Sequence, residues 1–140
     1  MFDLDKKIFD ELMDEIADLE DGWQIISLEA TPDKPYGLSF SPVHLNFVKE
    51  LVNTLKSYPW PSPTTLQSII LEYCEYDVES PYLTFEIYDD LSIDFEAVDR
   101  RTSKAVTGHN INVSRVNDLV NMWHDRSIID FIQLIVEGDC

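Results

Sequence analysis

Tyr82-Leu83-Thr84-Phe85-Glu86-Ile87-Tyr88 alternates apolar and polar side chains without a break, and its reading decides the fold. Leu83, Phe85 and Ile87 fall on one face of a strand, while Tyr82, Thr84, Glu86 and Tyr88 fall on the other. Two further runs flank it. In Ser68-Ile69-Ile70-Leu71-Glu72-Tyr73-Cys74, the residues Ile69, Leu71 and Tyr73 share a face. In Leu91-Ser92-Ile93-Asp94-Phe95-Glu96-Ala97-Val98, the inward set is Leu91, Ile93, Phe95 and Ala97. Together the three runs predict an antiparallel meander.

The register follows from parity. Opposed residues of an antiparallel pair point to the same face. A two-residue turn at Asp89-Asp90 sets Phe85 against Asp94 and mixes the faces. An odd loop, Asp89-Asp90-Leu91, sets Phe85 against Phe95 and Ile87 against Ile93, although it lacks the glycine that such loops favour. The outer face then carries Glu86, Asp94 and Glu96 together. Directly opposed like charges destabilise a sheet, so this face meets water or a positive partner.

Working outward, the first helix is expected from a cap at Asp3 to about Leu19, with Ile8, Phe9, Leu12, Met13, Ile16 and Leu19 on its apolar face and Gly22 as its stop. Trp23 to Leu28 reads as a short strand or an irregular packed segment, and Thr31 to Gly37 as a loop. Ser41-Pro42 is a capping serine followed by proline at the first helical position. The helix it opens carries Leu45 or Val48, with Leu51, Val52 and Leu55, as its core stripe. Pro59-Trp60-Pro61-Ser62-Pro63 reads as a rigid, extended spacer. Asp99 to Lys104 holds the dense basic cluster Arg100, Arg101 and Lys104, and Ala105-Val106-Thr107 is a candidate fourth strand. Asn112 caps a helix with Val113, Val116, Leu119, Val120 and Trp123 on one face. The tail from Ser127 to Val136 has nearly helical spacing, with Ser127 and Asp130 as a capping pair and Gly138 as a stop; a strand is the alternative.

Length and composition restrict the classes. A chain of 140 residues with 44% hydrophobic and 11% aromatic content builds the core of a single globular domain. No apolar run approaches the roughly 20 residues of a membrane span, and the N-terminus has no signal-peptide pattern. Cys74 and Cys140 make no disulfide framework, and the expected location is the cytoplasm. The net charge of -17 argues against direct binding to nucleic acid or an anionic membrane. Its distribution is uneven, since Ser57 to Asp99 holds ten Asp and Glu and no Lys or Arg. Acidity of this kind serves solubility or matches a basic partner.

The run Leu19-Glu20-Asp21-Gly22-Trp23, the capped helix further on, the Pro59 to Pro63 segment and the strand ending Leu71-Glu72-Tyr73 together resemble a family of small bacterial proteins. That family carries a Leu-x-x-Gly-Trp-Asp-Gly motif, a helix, a Leu-Pro-x-Pro stretch and a Leu-Glu-Trp strand. The resemblance covers Leu19 to Val98. This chain departs from it at Gln24-Ile25, where the family has Asp-Gly, and at Tyr73, where it has tryptophan. The resemblance implies an α+β fold; the family has no known activity, so no chemistry follows from it.

Catalytic and metal patterns are sparse. His44, His109 and His124 stand at no ligand spacing, and there is no Cys-x-x-Cys. His44 sits early in a helix and suits packing, while His124 suits a helix C-terminus. His109 lies on a loop and is the least constrained. Asp94 and Glu96 with Lys104 faintly match the acid-acid-lysine set of metal-dependent nucleases, but Val98 stands where the lysine belongs. Phosphate-binding loops and nucleophile elbows are absent, and Cys74 suits a strand core.

The expected fold is a two-layer, single-domain α+β protein, with an antiparallel meander of three to four strands packed against two or three helices. The Ser41 and Asn112 helices cover one face, and the Asp3 helix packs at an edge or against the same layer. The expected function is non-enzymatic, with no cofactor and no metal: an acidic protein that neutralises a nucleic-acid-binding protein by occupying its basic surface, as a phage-type anti-CRISPR inhibitor or an antitoxin does. Glu72, Glu75, Asp77, Glu86, Asp94 and Glu96 stand in for phosphates, and Tyr82 and Tyr88 add contact area. The alternative is an accessory module that forms a homodimer, or binds an operon partner, through Ile128, Ile129, Phe131, Ile132 and Ile135. A hydrolase built on Asp94 is a third reading, and it requires a metal.

Overall fold

The computed structural model describes residues 5–17, 40–64, 67–75 and 79–138. Within them the chain runs α1 (Lys6–Ala17), α2 (Pro42–Asn53), β1 (Trp60–Pro63), β2 (Ile69–Tyr73), β3 (Tyr82–Ile87), β4 (Ile93–Asp99), β5 (Lys104–Gly108), α3 (Val113–His124) and α4 (Ser127–Gly138). The strands form one antiparallel sheet in the order β1-β2-β3-β4-β5. The expected α+β class is what the chain adopts, with one strand more than the meander predicts.

Parity sets the register as expected. Phe85 opposes Phe95 and Ile87 opposes Ile93. Tyr88 N–H donates to the Ser92 carbonyl at 3.0 Å and Leu91 N–H to the Tyr88 carbonyl at 2.9 Å, which leaves Asp89-Asp90-Leu91 as the odd loop. Leu91 takes φ 71°, the left-handed position where glycine is favoured. The Asp90 carboxylate holds the loop by accepting Ser92 N–H at 2.9 Å and its hydroxyl at 2.6 Å.

The additional strand is β1, which sequence reading made a spacer. Thr64 N–H donates to the Ser68 carbonyl at 2.9 Å, so Thr64 faces β2. By the alternation of antiparallel ladders, Ser62 and Trp60 face β2 as well, and the Pro61 and Pro63 nitrogens point outward. Prolines two residues apart are therefore compatible with an edge strand, where the missing N–H costs no ladder bond.

The inward residues form the core. Ile69, Leu71, Tyr73, Leu83, Phe85, Ile87 and Ala97 have no exposed surface, and each fully buried large side chain contributes about 1.5–3 kcal/mol. Helix α4 packs on β4 and β5, α3 on β3 and α4, and α1 on β1 and α2. Helix α2 is tied to the sheet through buried His44, whose Nε2 lies 2.9 Å from the Ile87 carbonyl.

Helix ends follow local chemistry. Ser41 accepts His44 N–H at 3.1 Å with Pro42 in the first turn, and Asn112 accepts Ser114 N–H at 3.0 Å. In α1 the capping carboxylate is Asp5, which accepts Ile8 N–H at 2.9 Å. Its buried stripe is narrower than expected, Phe9, Met13 and Ile16, with Ile8 exposed. The tail is helical, and Asp125 accepts Ser127 N–H at 2.8 Å. The readings placed on Asp3, Leu19, Gly22, Trp23 to Leu28, Thr31 to Gly37, Asp77 and Cys140 lie outside the described residues.

Candidate functional site

Strand alternation brings the acids together on the face opposite the core. One row across the sheet reads Trp60, Glu72, Thr84, Glu96 and Thr107; the next reads Ser62, Ile70, Glu86 and Asp94. Between them lies an open recess of about 380 Å³, whose lining includes Tyr82, Glu86, Tyr88, Asp94, Glu96 and His109. Among the described residues no lysine or arginine lines it.

Glu86 and Asp94 are directly opposed, an arrangement that costs stability unless each is held by donors. Both are held. The Ser68 hydroxyl donates to Glu86 at 2.5 Å, and Ser68 in turn shares a 2.6 Å hydrogen bond with Thr64. Asp94 accepts the Tyr88 hydroxyl at 3.1 Å, His109 Nδ1 at 3.1 Å and Asn110 N–H at 2.9 Å. Burial works against the Asp94 charge, but the donors Asn110, His109 and Tyr88 outweigh it and hold the carboxyl below its ordinary value. Asn110 reaches this position at φ 50°, a conformation asparagine tolerates better than most residues.

The tyrosines are the other half of the site. Tyr82 donates to Glu72 at 3.1 Å. Burial, followed by the Glu72 charge and hydrogen bond, pushes its hydroxyl up to about 12. Tyr88 is likewise pushed up to about 12, by burial, its bond to Asp94 and the charge of Glu86. Each phenol is thus kept protonated as a donor that fixes a carboxylate. Glu96 is exposed on the same face.

Glu72, Tyr82, Glu86, Tyr88, Asp94 and Glu96 therefore share one surface. Glu75 does not belong to it. Its carboxylate takes Arg126 at 3.0 Å and Ser80 at 3.2 Å, while its carbonyl takes Arg100 at 2.7 Å. The basic cluster is likewise used internally: Arg100 also donates to the Ser80 carbonyl at 2.8 Å, and Arg101 pairs with Asp99, itself 1% exposed. Ser68, His109 and Asn110 as holders of the acids were not foreseen, because they act through contacts 15 to 18 residues away.

The apolar tail offers less surface than its sequence suggests. Ile128 and Ile132 are fully buried, Ile129 and Phe131 half-buried, and Ile135 39% exposed. The most exposed apolar residue of α4 is Leu134, at 70%.

Among the described residues no group of three His, Cys, Asp or Glu can hold a metal ion, and no helix is long and apolar enough to cross a membrane. His124 Nε2 lies 2.6 Å from the Ser57 hydroxyl, a pair that joins the end of α3 to the bend after α2. The chain matches no family model, no curated protein and no solved structure.

Proposed function

We propose that this chain is a non-enzymatic inhibitor that binds the basic surface of a nucleic-acid-binding protein through the outer face of its sheet. The observation that carries the reading is the coincidence of four carboxylates, Glu72, Glu86, Asp94 and Glu96, with two tyrosines on one face that lacks lysine and arginine in its recess. Glu86 and Asp94 are directly opposed, at the roughly 4.5–5.5 Å spacing of paired side chains, and Glu72 and Glu96 flank Thr84 in the neighbouring row, so the four acids form one anionic patch. Three of the four already have their carboxylates fixed by hydroxyl or amide donors, so little side-chain entropy remains to be lost when a lysine or arginine docks. Tyr82 and Tyr88 supply rigid contact area beside the charges. The chemistry required is acceptance of cationic donors, and no bond is made or broken.

The test is capture from host lysate at low and high salt, with an unrelated domain of equal negative charge as control. The reading predicts a protein with a basic nucleic-acid groove, retained at low salt, lost at high salt and absent from the control. Glu96→Lys combined with Glu86→Lys abolishes that capture. Asp94 is unsuited to the test, because it also holds the turn at His109 and Asn110. Capture that survives high salt, or survives the double reversal, contradicts the reading.

A further inference from the structure

Among the described residues the sheet is bounded by β1 and β5, and these two edges are built differently. At β1 the outward nitrogens belong to Pro61 and Pro63; a helix packs on each edge strand, α1 on β1 and α4 on β5, so the difference lies in the strands themselves. At β5 the sequence Lys104-Ala105-Val106-Thr107-Gly108 has no proline, and its single charge is at its start. Edge strands are ordinarily blunted by proline, charge, a bulge or a covering element. Ala105 to Gly108 has none of these residue types.

The direction of the edge groups follows from the ladder. Tyr88 bonds to Ser92 across the β3–β4 turn, and Ile93 gives its carbonyl to Ile111 N–H at 2.8 Å. By alternation, Phe95, Ala97 and Asp99 bond toward β5, to Gly108, Val106 and Lys104. Ala105 and Thr107 therefore direct their N–H and C=O groups away from the sheet. Both residues are exposed, and among the described residues no hydrogen bond reaches these groups.

We infer that β5 pairs antiparallel with β5 of a second copy, about a two-fold axis through Val106. This register sets Ala105 of each copy against Thr107 of the other, and both members present outward groups, so four main-chain hydrogen bonds form. Val106 meets Val106 on the core side, and the small Ala105 and Thr107 side chains do not obstruct the outer face. Charge permits the pairing. Glu96 opposes Thr107, so the two copies of Glu96 stand at least three strand spacings apart, about 14 Å. That exceeds the screening length of about 8 Å at physiological ionic strength. Lys104 of each copy is set against Gly108 of the other, at the end of the sheet that carries Asp94. The dimer joins the two acidic faces into one continuous surface, and it stands whether or not that surface binds the proposed partner.

Sedimentation velocity of the full chain over a range of concentrations, at low and high salt, tests it. The expected result is a dimer that persists as salt rises. Ala105→Pro removes only an outward N–H, as Pro61 does at the opposite edge, and Thr107→Lys adds a charge to the edge. Each raises the dimer dissociation constant by about tenfold or more, with circular dichroism unchanged, whereas Glu96→Lys leaves the dimer intact. If Ala105→Pro unfolds the chain, Thr107→Lys decides. A wild-type chain that is monomeric at every concentration overturns the inference, as does a dimer unaffected by the folded variants.

Discussion

Gly108 lies close against a side chain of the neighbouring strand, and replacing it with alanine has a calculable outcome. A Cβ there overlaps Phe95 Cε1 and falls 2.8 Å from Phe95 Cδ1 and 3.2 Å from Ile111 Cγ2. Phe95 is the residue directly opposite on β4, so its ring lies across the glycine. The ring must leave a position in which it packs on the core, and overpacking of this kind costs about 1–3 kcal/mol. Against that, alanine in a strand gains about 0.5–1 kcal/mol over glycine. The net loss is centred on about 1 kcal/mol, within a range of about 0–2.5, a fall in the urea midpoint of roughly 0.5 M at an m-value of about 2 kcal/mol/M. Urea denaturation followed by circular dichroism reads it. The same substitution in a Phe95→Val background, which lacks the clashing ring atoms and keeps the 3.2 Å approach to Ile111 Cγ2, costs less by about 1 kcal/mol or more. A raised midpoint for Gly108→Ala in the wild type refutes the reasoning, as does an equal loss in both backgrounds.

Ser103 sits exposed at φ 61° in the β4–β5 turn, and Ser103→Gly removes left-handed strain, raising stability by about 0.5–1 kcal/mol in the same urea assay. Asp99 and Asp94 are both held below the ordinary carboxylate value, Asp99 by its bonds to Arg101 against its burial, and Asp94 by donors that overcome its burial. Their stabilisation is thus complete above the unfolded value near 3.8 and is lost as pH falls through the lower folded values; Asp99→Asn flattens this acid limb in urea titrations at graded pH. Tyr82 and Tyr88 are pushed up from 10 to about 12, so the folded protein holds their protons longer and stability falls as pH rises through that window. Ultraviolet titration shows the two late tyrosines, and Tyr88→Phe removes one of them.

The central strands were legible because two requirements agree. Side-chain alternation gives each run a core face, and parity then permits only the odd loop, so Phe85 against Phe95 follows without further information. β1 was illegible for the opposite reason. Its prolines argue against a strand until the direction of each nitrogen is known, and that direction depends on which neighbour Thr64 faces. The acid face was legible as a list of side chains but not as an arrangement. Glu86 and Asp94 look like an unrelieved repulsion in sequence, whereas Ser68, Tyr88, His109 and Asn110 fix them through contacts that depend on the completed sheet. Glu75 looked equivalent to its neighbours, yet the turn that brings Arg126 to it lies far along the chain. The tail's apolar residues were visible, but the covering of Ile128 and Ile132 depends on helix α4 lying on β4 and β5.

The most direct measurement is an equilibrium competition on the captured protein, with labelled nucleic acid displaced by increasing amounts of this chain. The account predicts full displacement, with an apparent affinity that weakens as salt rises and is lost in Glu86→Lys/Glu96→Lys. A ternary complex in which the nucleic acid and this chain bind the partner together contradicts occupation of the basic surface.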